Sequence, residues 1–193
     1  MFSRLKKINK NQKGFTLIEL IMVIAITALI IGVITVSIFQ LYKVQASTSN
    51  RMLAVRQVQN AGYWVNLDTQ MSQNVQPDES SDSGFPLTLT WTDWDGDGHR
   101  VVYTLISTSI KREHYTNYDP MNPADPDATT FVAEYIDSSE IAGEPQTKCE
   151  FTDTDGDGTN DTLFLTVTAT VSGSHEATET RVYEASPRPD SVS

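Results

Sequence analysis

One cysteine, Cys149, stands in 193 residues, so the chain makes no internal disulfide and no thiolate metal cluster of its own. An exported domain of this composition must find its rigidity elsewhere. Histidine is nearly as scarce. His99, His114 and His175 are scattered with no metal-ligand spacing, and no nucleophile elbow, phosphate-binding loop or zinc motif accompanies them. Serines cluster in linkers, which gives a Ser-His-Asp site little support, and a structural rather than enzymatic role is expected. Proline is absent before Pro77. Positive charge is short everywhere but at the start: the first 14 residues carry Arg4, Lys6, Lys7, Lys10 and Lys13 and no acid, so of a net charge of -11 the remainder holds -16. Such a body repels nucleic-acid phosphates and anionic headgroups, so no direct nucleic-acid binding is expected, and hard cations are the natural small partners. The length suits one globular domain with an N-terminal accessory.

What the chain has in plenty is apolar sequence near its start. Residues 15–41 read FTLIELIMVIAITALIIGVITVSIFQL, 27 positions with Glu19 the sole ionisable side chain. That is enough to cross a bilayer as a helix. The basic cluster precedes it, while Lys43 and Arg51 behind it are sparser, so the positive-inside bias puts the N-terminus in the cytoplasm and the acidic body outside. A secretory signal is the competing reading, since Val44-Gln45-Ala46 before Ser47 resembles a small-residue cleavage site. Against it, the apolar run is about twice the roughly 7–15 residues of such a signal.

Lys13-Gly14-Phe15-Thr16-Leu17-Ile18-Glu19-Leu20 resembles the class III signal of bacterial type IV prepilins and type II secretion pseudopilins. The resemblance implies a cut between Gly14 and Phe15 by a membrane-embedded prepilin peptidase, followed by methylation of the new terminal amine on Phe15. Glu19 is odd on physical grounds alone, because a carboxylate inside a membrane helix costs on the order of 2.5–3.5 kcal/mol. The resemblance implies that Glu19 meets the N-terminal amine of a neighbouring subunit during assembly. The plainer alternative is that it lies about one turn inside the membrane edge and snorkels outward. The partners so implied are other pilin or pseudopilin subunits, the prepilin peptidase, an inner-membrane assembly platform and membrane lipid. The implied location is a single pass through the bacterial cytoplasmic membrane, then an extracytoplasmic filament.

Beyond the apolar run, Ala54, Val58, Ala61 and Val65 keep helical spacing, as do Trp64, Leu67, Met71 and Val75. A helix from residue 15 to about 75 is expected, about 90 Å long at 1.5 Å per residue, apolar all round in its first half and amphipathic in its second. Pro77-Asp78-Glu79-Ser80-Ser81-Asp82-Ser83-Gly84 reads as a polar linker. Period-two runs of β-branched and aromatic residues follow at 87–91, 101–106, 148–152, 163–171 and 180–183 and predict an antiparallel sheet. Residues 114–130, with Pro120, Pro123 and Pro126, read as a surface loop, and 130–136 as a short helix or a strand. The fold class is thus α+β, a long N-terminal helix packed on an antiparallel sheet, as in pilins. The expected segments are a cleaved leader at 1–14, a membrane helix at 15–42, its amphipathic continuation at 43–76, a sheet domain at 77–186 and a loose tail at 187–193.

Trp91-Thr92-Asp93-Trp94-Asp95-Gly96-Asp97-Gly98 echoes in Phe151-Thr152-Asp153-Thr154-Asp155-Gly156-Asp157-Gly158. Asp and Gly in such runs can simply build the turn of a hairpin. Equally, aspartates at loop positions one, three and five with glycine at six match the start of a calcium loop. In the second copy Asp161 falls at position nine, so Asp153, Asp155, Asp157 and Asp161 resemble the compact nine-residue calcium loop of surface and pilus-associated proteins. The first copy offers Asp93, Asp95 and Asp97 with Val101 at position nine, and neither copy has a glutamate at position twelve. Calcium is the cofactor these loops admit.

Finally, Tyr103, Leu105 and Arg112 in VVYTLISTSIKR, followed by the second acidic loop, resemble the minor group that includes W-type pilins and J-type pseudopilins. That resemblance implies a subunit that initiates or caps a filament. The alternative is a membrane-anchored calcium-binding surface domain that never polymerises.

Overall fold

The computed structural model describes residues 14–119, 125–173 and 175–188. Most of the expected leader, part of the proline-bearing loop and the end of the tail lie outside the described residues. The chain forms two compact units, residues 1–44 and 45–193.

A single helix, α1 (Leu17–Met71), supplies the described helical structure of both. In the first unit its side chains are exposed on every face, as an all-round apolar helix requires when its partner is lipid or another helix. The hydroxyls it carries are spent internally. Thr27, Thr35 and Ser37 donate to the carbonyls of Val23, Ile31 and Val33 at 2.7, 2.8 and 2.9 Å, which removes the penalty of an unpaired donor in hydrocarbon.

In the second unit α1 becomes amphipathic. Ala54, Val58, Ala61 and Val65 are fully buried, as their spacing predicts. The second expected stripe is only partly realised: Trp64 packs on the core, but Leu67 and Met71 are exposed. The helix also stops short of residue 75, because Val75 belongs to β1 (Asn74–Gln76), whose pairing with β2 (Leu87–Thr92) buries it.

The strands are antiparallel, as expected, but form two main sheets rather than one. The first runs β1-β2-β3-β4-β5, with β3 (Gly98–Ile106), β4 (Ser109–Thr116) and β5 (Ala128–Glu134). A ribbon of β6 (Glu140–Ile141) and β7 (Glu144–Pro145) precedes the second sheet, β10-β9-β8, built from β8 (Lys148–Thr152), β9 (Thr162–Val171) and β10 (Ala177–Ala185). Residues 130–136 resolve as the end of β5 and a bridge from Ile136 to Ala169, which carries the chain from the first sheet to the second. The expected loop at 114–130 is shorter than its prolines indicated, since β4 extends to Thr116 and β5 begins at Ala128.

Leu87, Leu89, Val101, Leu163, Leu165 and Val167 line the core beneath α1. Side-chain amides fasten the helix to the strands around it: Asn60 Nδ2 donates to the Val132 carbonyl at 2.6 Å, and Gln57 Oε1 accepts the Glu134 N–H at 2.9 Å. Gly62 lets the Tyr183 ring of β10 lie against the helix backbone, where a Cβ would occupy the ring's own volume. The tail is not loose at its start. The Arg188 N–H donates to the Ser72 carbonyl at 2.9 Å and its Nη2 to that of Thr92 at 3.2 Å.

One polar cluster sits inside this apolar interface. Asp68, 2% exposed, accepts from Arg112 Nε at 2.7 Å and Nη2 at 2.9 Å and from the Tyr103 hydroxyl. The Arg112 guanidinium lies 5.1 Å from the Trp64 ring centre. Burial first, then the Asp68 charge, pushes the Tyr103 phenol far above its ordinary range, so it stays a donor. Every carboxylate oxygen is thereby occupied, which is the condition under which an ion pair can be buried.

Candidate functional site

At the amino end, Gly14 and Phe15 lie in exposed, non-helical backbone just ahead of α1. Thr16 begins the helix: its carbonyl accepts the N–H groups of Glu19 and Leu20 at 3.1 and 3.2 Å, and its hydroxyl lies 3.4 Å from the Glu19 nitrogen. Thr16 and Glu19 therefore occupy the N-cap and third positions of a capping box, of which the hydroxyl half is formed. Glu19 is exposed in the first turn, where the helix dipole favours an acid. The pair Gly14 and Phe15 is thus presented on open backbone, and the one acid of the apolar stretch stands beside the helix end that follows it.

The two acidic loops, alike in sequence, differ in what they do with their carboxylates. In the second, oxygens of Asp153, Asp155 and Asp161 all lie within 4.8 Å of one another, a group able to hold a metal ion. Backbone N–H groups of Gly156 and Gly158 donate to Asp153 at 2.6 and 2.7 Å and hold its carboxyl below the usual range. Asp161, held low by the hydroxyls of Thr162 and Thr154, accepts the Thr154 N–H at 3.1 Å. Asp157, expected as a fourth ligand, stays outside the cluster and accepts the Thr159 N–H at 2.7 Å. In the first loop no such group forms among the described residues. There Asp93 closes the turn by accepting the N–H groups of Asp95 and Asp97, both at 3.0 Å. Its other oxygen lies 3.2 Å from His99 Nε2, a contact that with the backbone bonds draws its carboxyl below the usual range. Among the described residues, the carboxylate grouping that could hold a hard cation therefore lies in the second copy.

Residues 9–35 match the family described as the prokaryotic N-terminal methylation motif. The chain carries the type IV prepilin signature. The match spans the Gly14-Phe15 pair, Glu19 and the first turns of α1. With a helix long and apolar enough to cross a membrane directly behind it, the signature points to membrane anchoring, and the motif is one that pilin-like structural subunits carry. No curated protein and no solved structure matches the chain.

One cleft of the second unit is lined by Asp78, Glu79, Asp82 and Glu150 and reaches Cys149. That thiol donates to the Gly84 carbonyl at 3.1 Å, and burial pushes it far up from its ordinary range, so it is inert rather than nucleophilic. Sequence reading missed two groupings. Asp68 pairs with Arg112 across 44 residues, and His99 comes within 3.3 Å of His114 across the β3–β4 hairpin. Each imidazole sits in a strand at a position facing the same side, but β4, SIKREHYT, lacks the apolar alternation that marks a strand in sequence.

Proposed function

We propose that the chain is a structural subunit of a type IV pilus or type II secretion-type filament, made as a precursor and cut between Gly14 and Phe15. The observation that carries this reading is the methylation motif at residues 9–35 lying over the start of an exposed apolar stretch, residues 15–41, in which Glu19 is the single acid. Prepilin peptidase removes the leader and methylates Phe15. The mature subunit then waits in the cytoplasmic membrane, held by the first part of α1 with its acidic body outside, until an assembly platform draws it into the filament. Glu19 supplies the driving contact. A carboxylate in hydrocarbon costs on the order of 2.5–3.5 kcal/mol, and the amine freed on Phe15 of an adjacent subunit neutralises it. The likeness of the region around Tyr103, Leu105 and Arg112 to W-type pilins and J-type pseudopilins favours a minor subunit that initiates or caps assembly. Arg112 has a packing role of its own against Asp68, so it adds little to that assignment.

The test is mass spectrometry of the N-terminus from cells that possess the peptidase. The expected species begins at an N-methylated Phe15, and Gly14→Lys leaves the precursor uncut and absent from filaments. A native chain that retains its first fourteen residues, or begins at Ser47, overturns the reading.

A second property has its own support in the Asp153, Asp155 and Asp161 group. Those oxygens suit calcium, and an ion there would fasten the second acidic loop in a domain without disulfides. Calcium should raise the unfolding temperature of the wild-type chain and leave that of Asp155→Asn unchanged. An equal rise in both would remove calcium from this loop.

A further inference from the structure

The inward face of β2, β3 and β4 carries a cluster that neither filament assembly nor the calcium loop uses. His99 Nδ1 and His114 Nε2 lie 3.3 Å apart. The two rings are within 12° of parallel with centres 5.4 Å apart, too wide for a direct face-to-face stack, so one ring is displaced sideways from the other. Trp91 covers both, at 5.1 Å and 13° from His99 and 6.0 Å and 11° from His114. Behind His99, Asp93 Oδ2 lies 3.2 Å from Nε2. A proton on Nε2 shared with that carboxylate leaves the Nδ1 lone pair of His99 directed at His114.

We infer that His99 and His114 form a two-imidazole site for a borderline divalent transition metal, with Zn2+ as its representative, and that Asp93 orients His99 from behind. Two nitrogens each about 2.0–2.1 Å from a tetrahedral zinc lie about 3.3–3.4 Å apart, which is the separation already present. To share one ion, each lone pair must swing by about 35° from the line joining the two nitrogens, onto an ion set off that line. His114 must offer Nε2 unprotonated, its proton moving to Nδ1. A ligand imidazole whose far N–H is held by a carboxylate is the usual support of such a metal, and imidazole nitrogen suits zinc, copper and nickel rather than calcium. The side chain of His99 is 16% exposed, so the site opens to water, which completes the coordination. The surrounding loop adds Asp95 and Asp97, and the net charge of the body favours cations. The site also accounts for the divergence of the two acidic loops: Asp93 serves the histidines, whereas its counterpart Asp153 serves its own loop.

The experiment is calorimetric titration of the untagged, detergent-solubilised full chain with Zn2+, in excess Ca2+ so that oxygen-only sites are occupied. One Zn2+ per chain is expected. His99→Gln and His114→Gln should each weaken it at least about tenfold and Asp93→Asn by about 10–100-fold, while Asp155→Asn leaves it unchanged. Because a substitution under Trp91 can disturb folding, the wild-type imidazole resonances are followed as well: Zn2+ should shift those of His99 and His114 and leave His175 still. Zinc binding that survives both histidine substitutions, that calcium displaces, or that leaves the two ring signals unmoved overturns the site.

Discussion

Removing the guanidinium of Arg112 is the sharpest test of how the helix is held to the sheets. In Arg112→Ala, Asp68 keeps the Tyr103 hydroxyl but loses two charge-assisted bonds of 2.7 and 2.9 Å and the Arg112 counter-charge, at a site 2% exposed. Breaking a buried pair from one side costs about 3–5 kcal/mol, because the remaining charge is left in a poor solvent. For a chain of this size that lowers the unfolding temperature by about 6–20 °C. Tyr103→Phe removes a single bond to a charged acceptor and should cost about 1.5–3 kcal/mol. The double replacement Asp68→Ala with Arg112→Ala should cost less than the sum of the singles, with a coupling of about 0.5–3 kcal/mol. Urea unfolding of the detergent-solubilised chain, followed by tryptophan fluorescence, reads all of these, and Trp64 beside the guanidinium makes the signal local. A loss below about 1 kcal/mol for Arg112→Ala, the value of an exposed pair, would refute the reasoning, since Asp68 would then have found water.

Two further outcomes follow from the packing and the turn chemistry. Gly62→Ala should destabilise by about 1–3 kcal/mol despite the better helix propensity of alanine, because the new methyl meets the Tyr183 ring; adding Tyr183→Ala should remove the clash, and equal stability of Gly62→Ala and wild type would contradict it. Asp78, Asp127 and Asp137 are held below the usual carboxylate range by the side chains of Ser80, Thr116 and Ser139 and their N–H groups. A depressed folded value adds stability above the ordinary value of 3.8 that is lost as pH falls through the lowered one, so the unfolding temperature should drop below about pH 4, and less steeply in Asp127→Asn.

How the histidines and Arg112 escaped a linear reading is instructive. The strand Ser109–Thr116 reads SIKREHYT and shows no apolar alternation, because only Ile110 of its inward positions is greasy. Arg112 and His114 take the other inward positions, and each is admissible there only because a partner waits: Asp68 from the helix for one, His99 from the neighbouring strand for the other. A period-two search scores such a strand as polar. The same holds for the end of the helix, where Met71 keeps helical spacing but Val75 finds a better burial by pairing opposite Leu89.

The chain by itself determined everything that depends on neighbours in sequence. The methylation motif at residues 9–35, the apolar run it opens, the stripe of Ala54, Val58, Ala61 and Val65, and five of the strands all follow from composition and period, which are local quantities. The tertiary structure alone decided which of two nearly identical acidic loops gathers its carboxylates, where two sheets replace one, and how a buried aspartate and two distant histidines are satisfied. Those outcomes turn on distances between groups remote in the chain, and a buried charge or polar ring is stable only when the completed fold brings its partner within bonding reach.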